Sequence, residues 1–382
     1  MTQIQQPTTT GPGTDRPAPS VRQLTFQWAS GPAIPLLSVA IALLLGAIFV
    51  LLSGNDPVKG YVALFQGAFG TPYDITETIV AAIPLVLTGL AVAVAFRTGL
   101  FNIGAQGQLL VGALAAGWAG SQWASLPGFL LMPIVIVFGI AGGAFYGGIV
   151  GLLKALRGVN EVITTIMLNY TIVFVMHWLL QQGPMTAQNA LGTPASTPIG
   201  AGARLPVIIP NELVLFSRLH AGVLLAAAAV VVFWFLLWRT PLGYQLRAVG
   251  LGARAAAQAG IDPARHMILV MAIAGGFAGL GGMIEVSGVF GRVYDGFSSS
   301  YGFDAIAVAL LGKNSPLGIV FAALLFGAFV HGGAYMQSHA GISSNLVAII
   351  QAFVLFVIAA ESLVRSLTRR RGRARRPVEA IA

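Results

Sequence analysis

The chain has 382 residues, of which 56% are hydrophobic and only 9% are charged, with a mean hydropathy of +0.83. Soluble domains carry about a quarter of charged residues, so this composition excludes a soluble globular protein. The absence of cysteine excludes disulfide frameworks and cysteine-ligated metals. The five histidines show no metal-site spacing, and we expect neither a metal nor another cofactor.

Residues 1–32 are rich in Thr, Pro, Gln and Gly without an apolar core. They predict a disordered cytoplasmic tail rather than a cleavable signal. Residues 33–366 contain apolar runs of about 20 residues, which suffice for helices that cross a hydrocarbon core of about 30 Å. The sequence therefore predicts an all-α polytopic membrane protein. We place ten transmembrane helices at Ala33–Leu52, Ile79–Phe96, Gly104–Ala124, Phe129–Leu153, Val162–Leu180, Ala221–Trp238, Met267–Phe290, Ser298–Leu311, Pro316–Tyr335 and Leu346–Val364.

The distribution of basic residues predicts how these helices are oriented. With the N-terminus inside, seventeen of the 21 lysines and arginines fall on the cytoplasmic side, several of them in the basic tail over 367–382. Basic residues concentrate in cytoplasmic loops, so both termini are expected to be cytoplasmic. The net charge of +9 then reflects topology, and it does not indicate binding to nucleic acid. The other four are Lys59, Arg204, Arg218 and Arg292.

Three amide side chains interrupt the apolar pattern where the second span turns into the third. Asn102, Gln106 and Gln108 lie in a glycine-rich stretch that also contains Phe101. An amide both donates and accepts hydrogen bonds, which suits a polar solute without fixed charge. Amides also cap helix ends in tight polar loops. The chemistry of the residues leaves a solute pathway and a capping role equally open.

Four further polar positions lie within predicted spans. Asn169 lies two turns into the fifth span, where a buried amide either bridges helices or faces a pathway. Glu161 opens that span, where a carboxylate favours helix capping. Asp304 begins the short eighth span and either caps it or faces the pathway. Glu285 is the most deeply placed carboxylate, and a charge at that depth needs a partner, for which Arg292 is the candidate.

Each half of the chain carries one polar-interrupted segment, at 101–108 and 298–304. Five spans per half would give an inverted repeat of five plus five. Paired irregular segments in such a repeat are a sequence indication of a central solute site.

The stretch 239–266 predicts a cytoplasmic loop with a short helix inside it. Arg254 is followed by Ala255 and Ala256, which are strong helix formers, and Gly260 is suited to end the helix. Small side chains would permit close docking on a separate chain that supplies energy, with Arg247 and Arg254 reaching acidic groups. A solvated connector is the alternative.

Four segments in this order carry a resemblance to a known family: Gly99–Leu109, Asn160–Tyr170, Arg247–Asp262 and Tyr301–Gly312. Over residues 33–366 the chain resembles the permease subunits of ATP-binding-cassette importers for ribose-type sugars, branched-chain amino acids and nucleosides. The motifs resemble the nucleoside and simple-sugar branch.

The resemblance implies a bacterial plasma-membrane complex in which this subunit is not an enzyme. Its partners would be a second homologous permease subunit, a cytoplasmic ATPase and an extracytoplasmic substrate-binding lipoprotein. The sequence agrees, since the best candidate for a phosphate loop, Gly312–Ser315, lacks the upstream glycine and the magnesium-binding Ser or Thr. Two departures are Gly252, where the family commonly has Asn, and Gln106, where Glu is common.

The predicted pathway residues are Phe101, Asn102, Gln106, Gln108, Asn169 and Asp304. Amides pair with base edges and hydroxyls, and aromatic rings stack on flat rings, which favours a neutral nucleoside. A simple sugar of the ribose or galactose type is the alternative substrate. A secondary transporter or a channel is the alternative class, but a secondary transporter would normally need more deep carboxylates, and a channel needs no ATPase.

Overall fold

The computed structural model describes residues 33–187, 192–210, 212–298 and 300–357. Both predicted tails and the end of the tenth predicted span lie outside this part of the chain. Within it the protein is helical, with three isolated bridges and no strands. The helices are α1 Ala33–Leu52, α2 Pro57–Phe69, α3 Pro72–Arg97, α4 Ala105–Gln122, α5 Gly128–Arg157, α6 Glu161–Gln181, α7 Gly222–Arg239, α8 Pro241–Leu251, α9 Ala253–Gln258, α10 Pro263–Ile284 with a π-helical extension Glu285–Phe290, α11 Tyr301–Leu311, α12 Pro316–Ala340 and α13 Asn345–Val357.

Several helices begin at a polar cap followed by proline. Thr71 and Asp74 form a capping box at the start of α3, in which each side chain accepts a backbone N–H at the other's position. Asp262 accepts from two backbone N–H groups at the start of α10. Such caps satisfy amides that have no partner within the helix, and the next residue, proline, has no N–H to leave unpaired.

A helix lies at every predicted span within the described residues, and α2 was not predicted. Six helices there are long and apolar enough to cross a membrane, which makes the protein a multi-pass membrane protein. Ten crossings and an inverted repeat stay predictions. The six are α3, α5, α6, α7, α10 with its extension, and α12, while shorter apolar helices occupy Val39–Leu52, Tyr301–Leu311 and Asn345–Val357.

Helix α3 lies at the centre of the bundle. In its most apolar stretch 83% of the residues are buried, compared with 22% in α5 and 28% in α6. It packs against α10, α11 and α12, so its apolar surface is covered by protein on nearly all sides. In the peripheral helices α5 and α6 most residues are at least partly exposed, as in helices that contact lipid or another subunit.

Glycines allow the closest approach in the bundle, between α5 and α10. Every fourth residue of α5 from Gly139 to Gly151 is glycine, which places all four on one face. A Cβ on Gly143 would lie 2.1 Å from the Gly275 carbonyl oxygen, and one on Gly147 would lie 2.2 Å from the Met271 oxygen. The two backbones are in direct contact, which is the packing that small residues permit in membrane helices.

Ion pairs and aromatic contacts mark the two ends of the bundle. At one end the Arg97 side chain donates to the Asn314 carbonyl oxygen at 3.0 Å and lies over the Trp238 ring. At the other end Arg218 forms a salt bridge with Glu77 near the start of α3. We refer to these as the Arg97 end and the Arg218 end.

Two helices begin inside the bundle rather than at its ends. The Tyr301 carbonyl at the start of α11 lies 3.4 Å from the hydroxyl of Thr88, which is well within α3. Helix α4 begins at the same level, because a Cβ on Gly302 would lie 2.1 Å from the backbone nitrogen of Gln106. The predicted span Ser298–Leu311 is therefore a short helix preceded by irregular chain. Irregular backbone at such depth is tolerated where protein surrounds it or a cavity adjoins it.

Candidate functional site

Gln106 joins the starts of α4 and α11. Its amide nitrogen donates to the Ser298 carbonyl at 2.5 Å and to the Ser298 hydroxyl at 3.1 Å. Its amide oxygen accepts the Gly302 N–H at 2.8 Å, which is one of the amides that a helix N-terminus leaves without an internal partner. One buried side chain thus connects the two polar-interrupted segments predicted from the sequence.

Asn102 and Gln108 form a reciprocal amide pair. Asn102 Nδ2 donates to Gln108 Oε1 at 3.0 Å, and Gln108 Nε2 donates to Asn102 Oδ1 at 3.2 Å. Asn102 Oδ1 also accepts the Gly104 N–H at 3.1 Å. Both side chains are buried. These bonds hold the turn before α4, and both the pathway role and the capping role of the two residues stay predictions.

Asn169 connects α6 to the start of α4. Its Oδ1 accepts the Gly107 N–H at 2.9 Å, and its Nδ2 donates to the Ile103 carbonyl at 2.9 Å. Helix α6 starts at the Arg97 end of the bundle. There the Asn160 side chain accepts the Val162 N–H and caps the helix, the role that the sequence suggested for Glu161. Glu161 instead pairs with Lys154 of α5 at 2.7 Å.

A cavity of 410 Å³ lies beside these amides, between α4, α6 and α11. This volume is within the range of small-molecule sites. Most of its lining is apolar, with polar atoms supplied by a few side chains. Its lining includes Ile103, Gln106, Asn169, Tyr170, Asp295, Ser298 and Phe303.

Two aromatic rings border this cavity and reach its surface. Tyr170 is 63% exposed and Phe303 is 45% exposed, so each presents a ring face that no neighbour covers fully. Phe101, which was predicted to line the pathway, is also exposed but packs edge-on against Phe96 and is not among the lining residues. Asp304 accepts a hydrogen bond from the Ser300 hydroxyl at 2.7 Å in the first turn of α11.

The predicted pairing of Glu285 with Arg292 is wrong. The Arg292 guanidinium lies over the Tyr294 ring, 5.7 Å from its centroid, and no salt bridge joins it to Glu285 within the described residues. Glu285 begins the π-helical extension of α10 and is buried. The extra residue in a π turn shifts the register, so sequence spacing on an α-helix did not give the relative positions of these side chains.

Helices α8 and α9 form a projecting surface at the Arg97 end. Helix α9 ends in a Schellman motif, in which Gly260 N–H bonds to Ala257 O and Ile261 N–H to Ala256 O, with Gly260 left-handed at φ +81°. Arg254 and Ala255 are exposed, whereas Ala256 is buried against the bundle.

Arg247, by contrast, does not project freely from this surface. Its Nε donates to the Gly243 carbonyl within α8. The helix predicted to begin at Arg254 is therefore present, but it presents only part of its residues outward.

Helix α8 touches the end of α3 through glycine. A Cβ on Gly250 would lie 2.5 Å from the Arg97 carbonyl oxygen and 2.8 Å from the Thr98 Cα. The opposite contact is also close, since a Cβ on Gly99 would meet the Gly250 oxygen at 3.3 Å. The projecting surface therefore rests on the turn that leads directly into the amide-rich stretch. The sequence showed these glycines but not that they meet.

Replacing Gln106 by leucine is expected to destabilise the folded protein. The change removes three hydrogen bonds and leaves the buried Gly302 N–H and Ser298 carbonyl unpaired, which costs about 1–3 kcal/mol for each group. We expect the thermal midpoint of the detergent-solubilised protein to fall by roughly 4 °C or more. Gln66→Leu, the same chemical change at an exposed position of α2, is the control and should leave the midpoint unchanged. A leucine variant of wild-type stability that fails only in transport would instead place Gln106 in the path of the solute.

A contact between a histidine and a carboxylate at the border of the cavity was not predicted from the sequence. His177 Nδ1 and Asp295 Oδ2 are 2.5 Å apart, and Asp295 is the charged residue in the cavity lining. A histidine near the end of a span and an aspartate in a connecting segment form no recognisable sequence motif. The two residues are 118 positions apart in the sequence, and only the fold brings them together.

Comparisons with known proteins identify the family. Residues 75–359 match the family model described as branched-chain amino acid transport system / permease component. The chain is 38% identical over 333 residues to the guanosine ABC transporter permease protein NupP of Bacillus subtilis (strain 168), covering 87% of this chain and 94% of that one.

Two other relatives are similar over comparable lengths. The nucleoside ABC transporter permease protein NupB of Lactococcus lactis subsp. cremoris (strain MG1363) is 39% identical, over 87% of this chain and 91% of that one. The glucose ABC transporter permease protein TsgB13 of Haloferax volcanii is 39% identical, over 87% of this chain and 88% of that one. No solved structure matches the chain. With a multi-pass helical bundle, two helices that begin inside it and these similarities, the chain belongs to the permease components of ATP-binding-cassette transporters, and it is a transport subunit rather than an enzyme.

Proposed function

We propose that this protein forms the membrane passage of an importer for nucleosides. The observation that carries the proposal is the cavity beside the meeting point of α4 and α11, whose lining is largely apolar and includes the exposed rings of Tyr170 and Phe303. Aromatic faces stack on flat rings, which suits a nucleobase. Relatives named for guanosine and nucleoside transport support the same substrate class.

The amide side chains contribute to the passage mainly by fixing the relative positions of α4, α6 and α11, which surround it. Gln106 and Asn169 line the cavity, but both Gln106 donors already bond to Ser298 and one Asn169 donor bonds to the Ile103 carbonyl. Each amide oxygen has a second lone pair that remains available to a solute. Within this proposal, Asn102 and Gln108 position the stretch that leads into α4, and Asp304 holds the start of α11.

We propose that the partner ATPase binds at the Arg97 end and couples ATP hydrolysis to transport there. The permease family implies a partner ATPase and a substrate-binding protein. The surface of α8 and α9 is the proposed ATPase contact, with Arg254 and Ala255 outward and Leu251 93% exposed at the junction of the two helices. Ala256 and Gly260 would shape this surface, and Arg247 stays bonded within α8.

The Arg97 end is proposed to be cytoplasmic, with both termini on that side of a bacterial plasma membrane. Arg97, Lys154, Arg239 and Lys313 all lie at helix ends there, in agreement with the preference of basic residues for cytoplasmic loops. A second homologous permease subunit would then complete the membrane core, facing the exposed side of α6. An extracytoplasmic binding lipoprotein would deliver the solute at the Arg218 end.

A simple sugar is the second candidate substrate. The glucose permease relative is as similar to this chain as the nucleoside permease relatives are. A sugar would use the polar groups of the cavity without base stacking against Tyr170 and Phe303.

Uptake assays test the proposal. A strain lacking the gene, with and without the gene restored, is given labelled adenosine, guanosine or uridine. We expect restored uptake that unlabelled nucleosides suppress and that excess ribose, galactose or glucose does not. If the sugars suppress uptake and nucleosides do not, the passage carries sugars.

A further inference from the structure

We propose that Asp295, held in position by His177, is the group that recognises the vicinal hydroxyls of the solute. The inference rests on the proposed function and names the part of the substrate that the cavity binds specifically. It would give the permease a preference for ribonucleosides over nucleosides that lack the 2′ and 3′ hydroxyls.

The first ground is the position of Asp295. It lines the cavity, and its backbone N–H is fixed by a hydrogen bond to the Pro194 carbonyl at 2.9 Å. Its side chain is 21% exposed, so it is accessible without being fully solvated. A carboxylate in such a place forms stronger hydrogen bonds than it would in open water.

The second ground is the hydrogen bonding of the two Asp295 carboxylate oxygens. Oδ2 is bonded to His177 Nδ1, and in the described part of the chain Oδ1 makes no hydrogen bond. An ionised carboxylate is an acceptor with room for about four hydrogen bonds. Two adjacent hydroxyls each donate one, so they match this acceptor in number and in kind. Of the cavity amides, Gln106 uses both donor hydrogens within the protein and Asn169 uses one of its two, so neither offers as many open acceptor positions as the carboxylate does.

The third ground is the arrangement around the pair. Tyr170 and Phe303 border the same cavity and offer exposed ring faces. A nucleoside has a flat apolar base at one end and hydroxyls at the other, so rings and a carboxylate in one cavity complement both ends. His177 is a positioning residue: its Nδ1–H bond sets the orientation of the carboxylate.

The test compares uptake of uridine with uptake of 2′,3′-dideoxyuridine. The measured quantity is the ratio of the two rates in each variant relative to wild type, so that the selectivity of the unchanged binding protein cancels. We expect Asp295→Asn to lower the ratio about tenfold or more, because charge-assisted hydrogen bonds to the hydroxyls are lost. The dideoxynucleoside rate should stay close to that of wild type.

The matched control is Asp56→Asn, the same chemical change at an exposed helix cap remote from the cavity, where Asn caps equally well. It should leave the ratio unchanged. His177→Gln, at a half-exposed side chain, should lower the ratio by a smaller factor, and it carries the test if Asp295→Asn does not assemble. A ratio that stays at the wild-type value in the assembled variants overturns the inference. That outcome leaves the proposed function intact, whereas absence of nucleoside uptake by wild type would overturn the proposed function itself.

Discussion

Replacing Gly143 by alanine is expected to remove most of the folded permease from the membrane. The new Cβ would lie 2.1 Å from the Gly275 carbonyl oxygen and 2.7 Å from the Gly279 Cα, and both of these are backbone atoms. No side chain can rotate away, so α5 and α10 must separate by more than 1 Å to restore ordinary contact. Separation loses contacts along the whole interface, and a few kcal/mol of destabilisation lowers abundance several-fold.

The measurement is the amount of full-length subunit in purified membranes and the fraction that stays monodisperse in detergent. Gly148→Ala is the matched control, because this glycine lies on the same helix and its Cβ would meet only the Ala272 Cβ at 3.8 Å. The control should accumulate as wild type does. Equal abundance of the two variants would show that the helices yield at this contact.

Replacing Gly250 by alanine is expected to abolish most uptake while the subunit still inserts. Its Cβ would lie 2.5 Å from the Arg97 carbonyl oxygen, so α8 must shift away from the end of α3. We propose that this contact transmits movement from the ATPase surface to the stretch that leads into α4. The displaced surface should leave ATP hydrolysis by the complex running without matching transport.

Purified complex in vesicles, assayed for both hydrolysis and uptake, measures this effect. Gly252→Ala is the matched control two residues away. Its backbone is extended at φ 179°, which any residue adopts, and its Cβ would meet only the Ala255 Cβ at 3.8 Å. The control should retain coupled transport. Wild-type coupling in Gly250→Ala would exclude this contact as the transmitting link.

The apolar runs predicted the helices well because length and composition decide whether a segment can cross a membrane. Helix α2 was missed because Lys59 and Gln66 interrupt a segment of only 13 residues. The α-helix spacing also failed at Glu285, where the π turn changes the register.

The amides of the site were found from sequence because polar residues stand out in an apolar background. Their partners were not, because Gln106 and Ser298 are 192 residues apart and only the folded bundle brings them together. The four-residue glycine spacing of α5 can be seen in the sequence, but only the fold shows that α10 covers that face. Local pattern thus pointed to the amide-rich stretch, whereas its hydrogen bonding and the Asp295–His177 contact depend on long-range topology.

Helix α6 is held most firmly near its middle, so it can pivot there. At this level the Asn169 amide bonds to the start of α4, and the Tyr146 hydroxyl donates to the neighbouring Leu168 carbonyl at 2.7 Å. Toward its two ends, Glu161 pairs with Lys154 and His177 bonds to Asp295. Each of these contacts has one partner that water reaches, so they hold the ends of α6 less firmly than the buried bonds of Asn169 hold its middle. We expect α6 to widen the cavity by tilting while α4 and α11, clamped by Gln106, stay fixed.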